Sequence, residues 1–269
     1  MSAWDQQALE SNFQGWKTER APNIPVDQAF ERYSIEQVLK DDDLSDEELE
    51  YGMLGGSDDG GVDGFFFFVN RTLMIDESEL PDPAISVDIK VIQAKNKNGF
   101  SEEAIEKLAS FARDLLDYTK PPDSFNYYNS SVQEAIKNFR DKYTEILGSQ
   151  HTLNMSFYYV TKADQPPNAK VDRRADGLRQ IVKKQLSAAQ TSVIFWGCSE
   201  LLSAARTTPK TKLTLDFSKQ WSTDDGSVVC LVNLKSYSRF LSDDHGSIRR
   251  SLLERKRPRL PRQKEPSKC

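Results

Sequence analysis

Two stretches decide the fold: GGSDDGGVDGFFFFVN at Gly55–Asn70 and SVDIKVIQAK at Ser86–Lys95. The first predicts a glycine-rich turn that leads into a strongly apolar strand. The second predicts a strand over Ile85–Ala94 that is apolar on both of its sides, which is typical of the interior of a sheet. The two strands are expected to pair as part of a hairpin, with a short strand at Leu73–Ile75 between them.

Three polar side chains interrupt these apolar strands. Asp63 opens the first strand, and Gln93 and Lys95 stand two residues apart near the end of the second. Residues at that spacing point to the same face of a strand, so pairing of the two strands would bring Asp63 to both of them. A carboxylate and an amide oxygen suit a hard divalent cation, and a lysine beside them can position a water or a phosphate. The pattern predicts a metal-dependent nuclease site.

Each of these residues also has a purely structural interpretation. Asp63 alone can end a glycine turn, and Gln93 with Lys95 can form the exposed face of an edge strand. The apolar residues on both sides of that strand favour a central position instead, where polar side chains call for a reason.

The rest of the chain predicts an α/β protein with a mixed sheet, because strands alternate with helices after the hairpin. Three divisions are expected: an N-terminal helical segment at 1–44, an α/β domain at 45–240 and a basic, disordered tail at 241–269. The predicted helices are Trp4–Lys17, Val26–Lys40, Asp46–Met53, Ser101–Asp117, Ser131–Leu147 and Ala175–Ala189. The further predicted strands are Met155–Val160, Ser192–Trp196, Leu213–Phe217 and Val228–Leu234.

Composition excludes several classes of protein. No apolar run approaches the roughly 20 residues of a membrane helix, no signal peptide opens the chain, and three separated cysteines form neither a disulfide framework nor a zinc motif, so a cytoplasmic protein without membrane contact is expected. The net charge is −5. From Arg249 onward the chain contains nine Lys/Arg and two Glu, so the residues before Arg249, the acidic body of the chain, carry a net negative charge. This charge argues against a protein that coats DNA, since phosphate neutralisation needs clustered cations. Two histidines, His151 and His245, disfavour a two-histidine nuclease mechanism.

The order of three segments resembles a known family. AFERYSIEQVLKDDDLSDEELEYG, DDGGVDGFFFFVN and VIQAKNKNGFSEEAIEKL follow one another as in the N-terminal part of the AIPR (abortive infection, phage resistance) proteins. The Asp and the Gln-Xaa-Lys resemble the PD-(D/E)XK nuclease superfamily, in the glutamine variant of Mrr-type restriction endonucleases. The resemblance covers roughly Ala29–Phe217 and implies a restriction-endonuclease-like mixed sheet flanked by helices, with an extra N-terminal helical segment.

Carried over by position, the resemblance implies a role for each residue. Asp63 would bind the metal, and Gln93 takes the place usually held by Glu or Asp. The backbone carbonyl of Ala94 would complete a site for Mg²⁺ or Mn²⁺, and Lys95 is the motif lysine. A helical acid upstream is also implied, for which Glu48 is the candidate. Two choices stay open: whether Glu47 or Glu50 takes the place of Glu48, and whether Asp59 is a metal ligand or a residue that shapes the loop.

The implied function is hydrolysis of phosphodiester bonds, in DNA more than in RNA, as part of bacterial antiphage defence. A homodimer is expected because cutting both strands of a duplex usually needs two sites, and a protein partner in a defence system is implied. The main alternative is a catalytically weak or inactive module that binds nucleic acid or assembles with a partner or a missing C-terminal region. The acidic body and Gln93 favour that alternative. A phosphoesterase that acts on a nucleotide is a third interpretation.

Overall fold

A computed structural model describes residues 3–207, 215–222 and 227–242. These residues belong to two compact units. The first unit contains residues 3–42 and 46–207, so the N-terminal helices belong to the same unit as the sheet. The second contains residues 43–45 and the described residues from 215 onward.

A mixed five-stranded sheet organises the first unit, and its strand order is β2-β1-β3-β4-β5. β1 pairs antiparallel with β2 and with β3, whereas β3, β4 and β5 run parallel to one another. The prediction of a mixed sheet with the Ser86–Lys95 stretch at its centre is confirmed. The strands are β1 Gly64–Val69, β2 Thr72–Leu73, β3 Ser86–Lys95, β4 Thr152–Thr161 and β5 Gln190–Trp196.

Seven α-helices flank this sheet in the described part of the first unit. They are α1 Ala3–Arg20, α2 Val26–Val38, α3 Asp46–Gly52, α4 Glu102–Leu116, α5 Ser130–Ile146, α6 Ala169–Gln185 and α7 Cys198–Arg206. A short 3-10 helix, Pro122–Phe125, lies between α4 and α5. The central core joins the apolar residues of α4, α5 and α6 to one face of the sheet. α2 packs against β3 and also contacts α1 and α7.

The run of four phenylalanines in β1 anchors the hairpin in the core. All six residues of β1 are buried. Because successive side chains of a strand point to opposite faces, Phe65 and Phe67 join the core under α4 and α5, where each makes an edge-on contact with Phe139. Burial of such large side chains on both faces, worth about 1.5–3 kcal/mol each, fixes the start of β1 relative to β3.

Two elements differ from the prediction because of local capping. α6 begins at Ala169 rather than Ala175, since the Asn168 side chain accepts hydrogen bonds from the N–H groups of Lys170 and Val171. α7 was not predicted, and there the Glu200 side chain accepts from the Gly197 N–H at 2.8 Å. An N-cap glycine gives no side-chain signal, which explains why α7 was missed.

The second unit contains an antiparallel hairpin and a helix. The hairpin pairs β6 Lys219–Ser222 with β7 Val228–Leu231, and α8 spans Leu234–Leu241. The predicted strand Val228–Leu234 is therefore shorter, because Asn233 caps α8 by accepting from the Lys235 N–H at 2.8 Å.

Parts of the predicted C-terminal region cannot be compared with the structure. Within the predicted strand Leu213–Phe217, residues 215–217 are not in a strand, and the first two residues lie outside the described residues. Of the predicted tail, residues 243–269 also lie outside them. None of the described helices has both the length and the apolar character of a membrane span.

Candidate active site

Asp63 is held at the start of β1 by backbone hydrogen bonds on both sides. Its N–H donates to the Ile92 carbonyl at 2.9 Å, and its own carbonyl accepts from the Leu54 N–H at 3.0 Å. The carboxylate lies against β3, where Oδ2 accepts from the Ala94 N–H at 2.7 Å. Only 1% of Asp63 is exposed, so its hydrogen bonds to neighbouring backbone groups, and not contacts with water, fix its position.

The structure brings Lys95 to this carboxylate. The Nζ atom of Lys95 lies 3.4 Å from Oδ1 and 3.5 Å from Oδ2 of Asp63. The Ala94 N–H leaves β3 on the side of β1, and in a strand the carbonyl of the same residue leaves on that side as well. Asp63, Ala94 and Lys95 therefore meet where β1 begins and β3 ends.

Gln93 carries an unusual buried acceptor. The residue is 1% exposed, and its Oε1 atom has no hydrogen-bond partner in the part of the chain that the structure describes. The amide borders the glycine-rich loop, because a Cβ atom added at Gly61 would lie only 2.8 Å from Nε2 of Gln93. A buried acceptor without a donor costs about 1–3 kcal/mol, so this oxygen is a candidate ligand for a group that the chain itself does not supply.

Glu31 is a further acid at this position, and it was not predicted. It lies on α2, and its Oε1 atom is 3.7 Å from the Lys95 ammonium. Nothing in the local pattern of α2 distinguishes Glu31 from the other acids of an amphipathic helix. The signal is tertiary, since it arises only from the packing of α2 against β3.

Glu48, the acid predicted for a helix upstream of Asp63, lies on α3, and Glu31 lies on α2. Glu48 is a buried residue of α3, 7% exposed, whereas the helical carboxylate that accompanies Lys95 belongs to Glu31 of α2. Of its two neighbours, Glu47 is exposed and Glu50 forms an ion pair with Arg32. The role of Glu48 stays a prediction, and Glu31 is the acid that the geometry of the Asp63–Lys95 pair favours.

Asp59 shapes the glycine-rich loop. Its Oδ1 atom accepts from the Gly61 N–H at 2.7 Å. Gly60 and Gly61 have φ angles of +65° and +77°, a region that residues with a Cβ rarely adopt. The negative charge of Asp59 also raises the pKa of both Glu31 and Asp63.

The buried site holds more negative than positive charge. Burial, followed by the charge of Asp63, raises the pKa of Glu31 to about 7, against the opposing effect of Lys95. Burial likewise raises the pKa of Asp63 to about 6, although Lys95 and the Ala94 N–H act to lower it. Burial lowers the pKa of Lys95, but Asp63 and Glu31 outweigh that effect and hold it above its ordinary value. Two acids thus share one ammonium group.

These residues fit a hard divalent cation through a mixed set of oxygens. Across residues 3–207, 215–222 and 227–242, no three His, Cys, Asp or Glu side chains form a metal-holding group. Magnesium and calcium sites, however, also use amide and backbone oxygens. The Asp63 carboxylate, the Ala94 carbonyl and the Gln93 Oε1, which has no partner among the described residues, are oxygens of these kinds, and Glu31 lies across the Lys95 ammonium. An added cation would satisfy Gln93 and offset the surplus charge.

Replacement of Glu31 by Gln is expected to make stability less dependent on pH. The folded-state pKa of Glu31, about 7, lies above its value in an unfolded chain, about 4.3. The folded state therefore binds the proton more tightly, and stability falls as pH rises from that lower value through about 7. Glu31→Gln removes this contribution. The thermal midpoint, measured without divalent metal from pH 5 to pH 8, should fall less in the variant than in the wild type, and equal falls would contradict the assignment.

No protein-family model matches this chain, and neither a curated protein nor a solved structure shows significant similarity to it.

Proposed function

We propose that this protein is a metal-dependent nuclease that hydrolyses phosphodiester bonds of DNA, or of RNA, with Mg²⁺ or Mn²⁺. One observation carries the proposal: the Lys95 ammonium lies 3.4 Å from the Asp63 carboxylate and 3.7 Å from that of Glu31, on the strand that also carries Gln93, whose buried Oε1 has no hydrogen-bond partner among the described residues. Phosphodiester hydrolysis needs neutralisation of the phosphate charge and an oriented water. The candidate oxygen ligands would hold a cation that neutralises the phosphate charge, and the lysine can orient the water.

Each residue has a separate task in this reaction. A bound divalent cation would neutralise charge on the phosphate and lower the pKa of a water. Asp63, Gln93 and the Ala94 carbonyl would hold the ion. The ammonium of Lys95 has three N–H donors, so it can bind a phosphate oxygen or the water while it stays close to Asp63. Glu31, whose pKa is about 7, can accept a proton from that water near neutral pH.

The arrangement of the sheet supports the proposed fold. An antiparallel β1–β3 pair continues into the parallel strands β4 and β5, which is compatible with a restriction-endonuclease-like domain. The candidate residues lie where β3 ends, and in open α/β sheets ligands bind outside the carboxyl ends of the strands. The resemblance to AIPR proteins adds the proposed setting, which is antiphage defence in the cytoplasm, with a homodimer or a protein partner.

Replacement of Lys95 by Met should lower cleavage by about 10²–10³-fold, the usual cost of removing one donor from a phosphate or oxyanion site. Cleavage of labelled DNA and RNA would be followed in Mg²⁺ and in Mn²⁺ with matched amounts of wild type and variant. Lys137→Met, which changes an exposed lysine of α5, serves as the control and should keep wild-type activity. Equal cleavage by the wild type and Lys95→Met would contradict the proposal.

A catalytically weak or inactive module is the second candidate, and the neutral amide of Gln93 favours it. An amide keeps an oxygen ligand but removes one negative charge, so the site should hold a divalent cation less tightly than one with a carboxylate there. This candidate predicts binding of nucleic acid without turnover. Wild type and Asp63→Ala would then show the same background cleavage in both metals.

A further inference from the structure

Helix α6 is basic in an otherwise acidic chain. Its sequence, AKVDRRADGLRQIVKKQ, contains six Lys/Arg and two Asp, a balance of +4, whereas the whole chain carries −5. Local clustering of cations is what binding to a phosphate backbone requires. The total charge therefore does not describe this part of the surface.

Three of the six cations of α6 lie in a stripe along its outer face. The buried residues of the helix, Val171, Ala175, Leu178 and Val182, point into the core. On the opposite side, helical spacing aligns five exposed residues, with no acid among them. These are Lys170, Arg173, Gly177, Gln180 and Lys184.

A groove between α4 and α6 runs beside this stripe. It has a volume of about 380 Å³. Its apolar lining comes from Ile105, Ala109, Leu178 and Ile181. Its cationic lining comes from Arg113, Arg173 and Arg174, of which Arg174 forms ion pairs with Glu102 at 3.2 Å and Glu106 at 3.1 Å. The groove can therefore bind a flat apolar group on its apolar side chains and an anionic group on its arginines.

Gly177 lines the same groove, and packing does not explain it. A glycine in the interior of a helix weakens the helix relative to alanine. A Cβ atom added at Gly177 would meet nothing within 4 Å, so no neighbour in the described structure excludes a side chain. Glycine is used where a ligand must approach a backbone closely, and here it lies next to Arg173 and Arg174.

The two helices that line the groove follow the two strands that end at the candidate active site. β3 and β4 are parallel and end in register at Lys95 and Thr161, and α4 and α6 are the helices that follow these two strands. The ion pair between Arg174 and Glu102 joins the second turn of α6 to the first turn of α4. In addition, Lys107 of α4 borders the glycine-rich loop, since a Cβ atom added at Gly61 would lie 2.8 Å from its side chain.

We propose that the α4–α6 groove and the basic stripe of α6 bind a single strand of nucleic acid, with phosphates on the stripe and an unpaired base in the groove. The proposal rests on the proposed function, because it supplies the substrate of the same site. Unpaired bases pack on arginine planes and apolar side chains, which stacked bases of a duplex cannot do. The stripe from Lys170 to Lys184 spans 14 residues, or about 21 Å. That length exceeds one nucleotide.

The test compares two double variants of equal charge. Arg173→Gln/Lys184→Gln removes two cations of the stripe, and Lys137→Gln/Lys235→Gln removes two exposed lysines of α5 and α8. Binding of fluorescein-labelled dT20 would be measured by anisotropy over a range of salt concentrations, in EDTA so that no cleavage occurs. We expect the stripe variant to bind at least about fivefold more weakly near 0.1 M salt, with a salt slope lower by about 1.4, which is 0.7 for each lost phosphate contact. The control double variant should bind like the wild type.

The Gly177→Ala variant tests whether Gly177 serves ligand binding or only folding. The substitution should raise the thermal midpoint by a few degrees, because alanine favours the helix and nothing occupies the space. It should also weaken binding of dT20 severalfold, because the added methyl group narrows the groove. A role limited to folding would leave the affinity for dT20 unchanged.

The proposal would be overturned by no binding of dT20 by the wild type, by equal losses in the two double variants, or by a 20-base-pair duplex that binds as tightly as dT20. Binding of thymidine monophosphate as tight as that of dT20 would also overturn it, in favour of a free nucleotide. Cleavage assays in Mn²⁺ keep the two proposals apart. If the wild type cleaves and Arg173→Gln/Lys184→Gln cleaves equally well, only the proposal that the groove binds the strand is rejected. If dT20 binds through the groove but is not cleaved, only the proposed nuclease activity is rejected.

Discussion

Replacement of Asp63 by Asn is expected to reduce metal-dependent cleavage by at least about 10³-fold while the fold stays intact. The amide is nearly the same size as the carboxylate, and its oxygen can still accept from the Ala94 N–H, which lies 2.7 Å from Oδ2 of Asp63. What disappears is the negative charge that would hold a divalent cation and oppose Lys95. A single lost donor at a phosphate or oxyanion site costs about 10²–10³-fold, and loss of the central ligand should cost more.

Metal binding gives this prediction a second measurement that does not depend on turnover. Millimolar Mn²⁺ should raise the thermal midpoint of the wild type at pH 8, because a ligand that binds only the folded state stabilises it. The midpoint of Asp63→Asn should respond much less. Asp141→Asn, on the exposed side of α5, is the matched control and should behave like the wild type in both measurements. Wild-type cleavage by Asp63→Asn would remove this residue from the site.

The sequence predicted those parts of the site that a single hairpin brings together. Asp63 precedes β1 and Lys95 ends β3, and only residues 70–85 separate these two paired strands, so the alternation of each strand and the pairing of the two were enough to bring the residues together. The apolar residues on both sides of Ser86–Lys95 also predicted a central strand, which the sheet order confirms. Local pattern is informative here because the partners are near in sequence.

Glu31 could not be predicted because its partner is distant in sequence and its helix carries many acids. The contact of Glu31 with Lys95 depends on how α2 packs against β3. That packing is decided by buried aromatic side chains such as Phe30 and Tyr33, which fix the rotation of the helix. The basic groove has the same origin, since its two walls come from α4 and α6.

Replacement of Arg140 by Leu is expected to lower the free energy of unfolding by about 3–5 kcal/mol, the usual cost of removing one partner from a buried charged contact. Arg140 is 6% exposed. Its guanidinium donates to four backbone carbonyls between α4 and α5, at 3.1 Å or less. These belong to Asp114, Leu115, Asp117 and Lys120. The cation also lies over the rings of Tyr118 and Phe125, 5.3 Å and 4.8 Å from their centroids. Leu would leave the buried carbonyls without donors. Urea unfolding measures the effect as a lower midpoint at an unchanged slope.

Comparison with Arg140→Lys shows whether geometry or charge matters at this position. Lysine keeps the positive charge but has one ammonium in place of a planar fork, so it cannot reach four carbonyls that surround the guanidinium. We expect Arg140→Lys to recover only part of the stability lost in Arg140→Leu. Arg113→Leu, which removes an exposed arginine of α4, should change stability by less than about 0.5 kcal/mol. A loss below about 1 kcal/mol in Arg140→Leu would contradict the assignment. Arg140 contacts the connection between α4 and α5, whereas the candidate site is built on β1, β3 and α2. The folded Arg140→Leu variant should therefore retain the cleavage rate of the wild type.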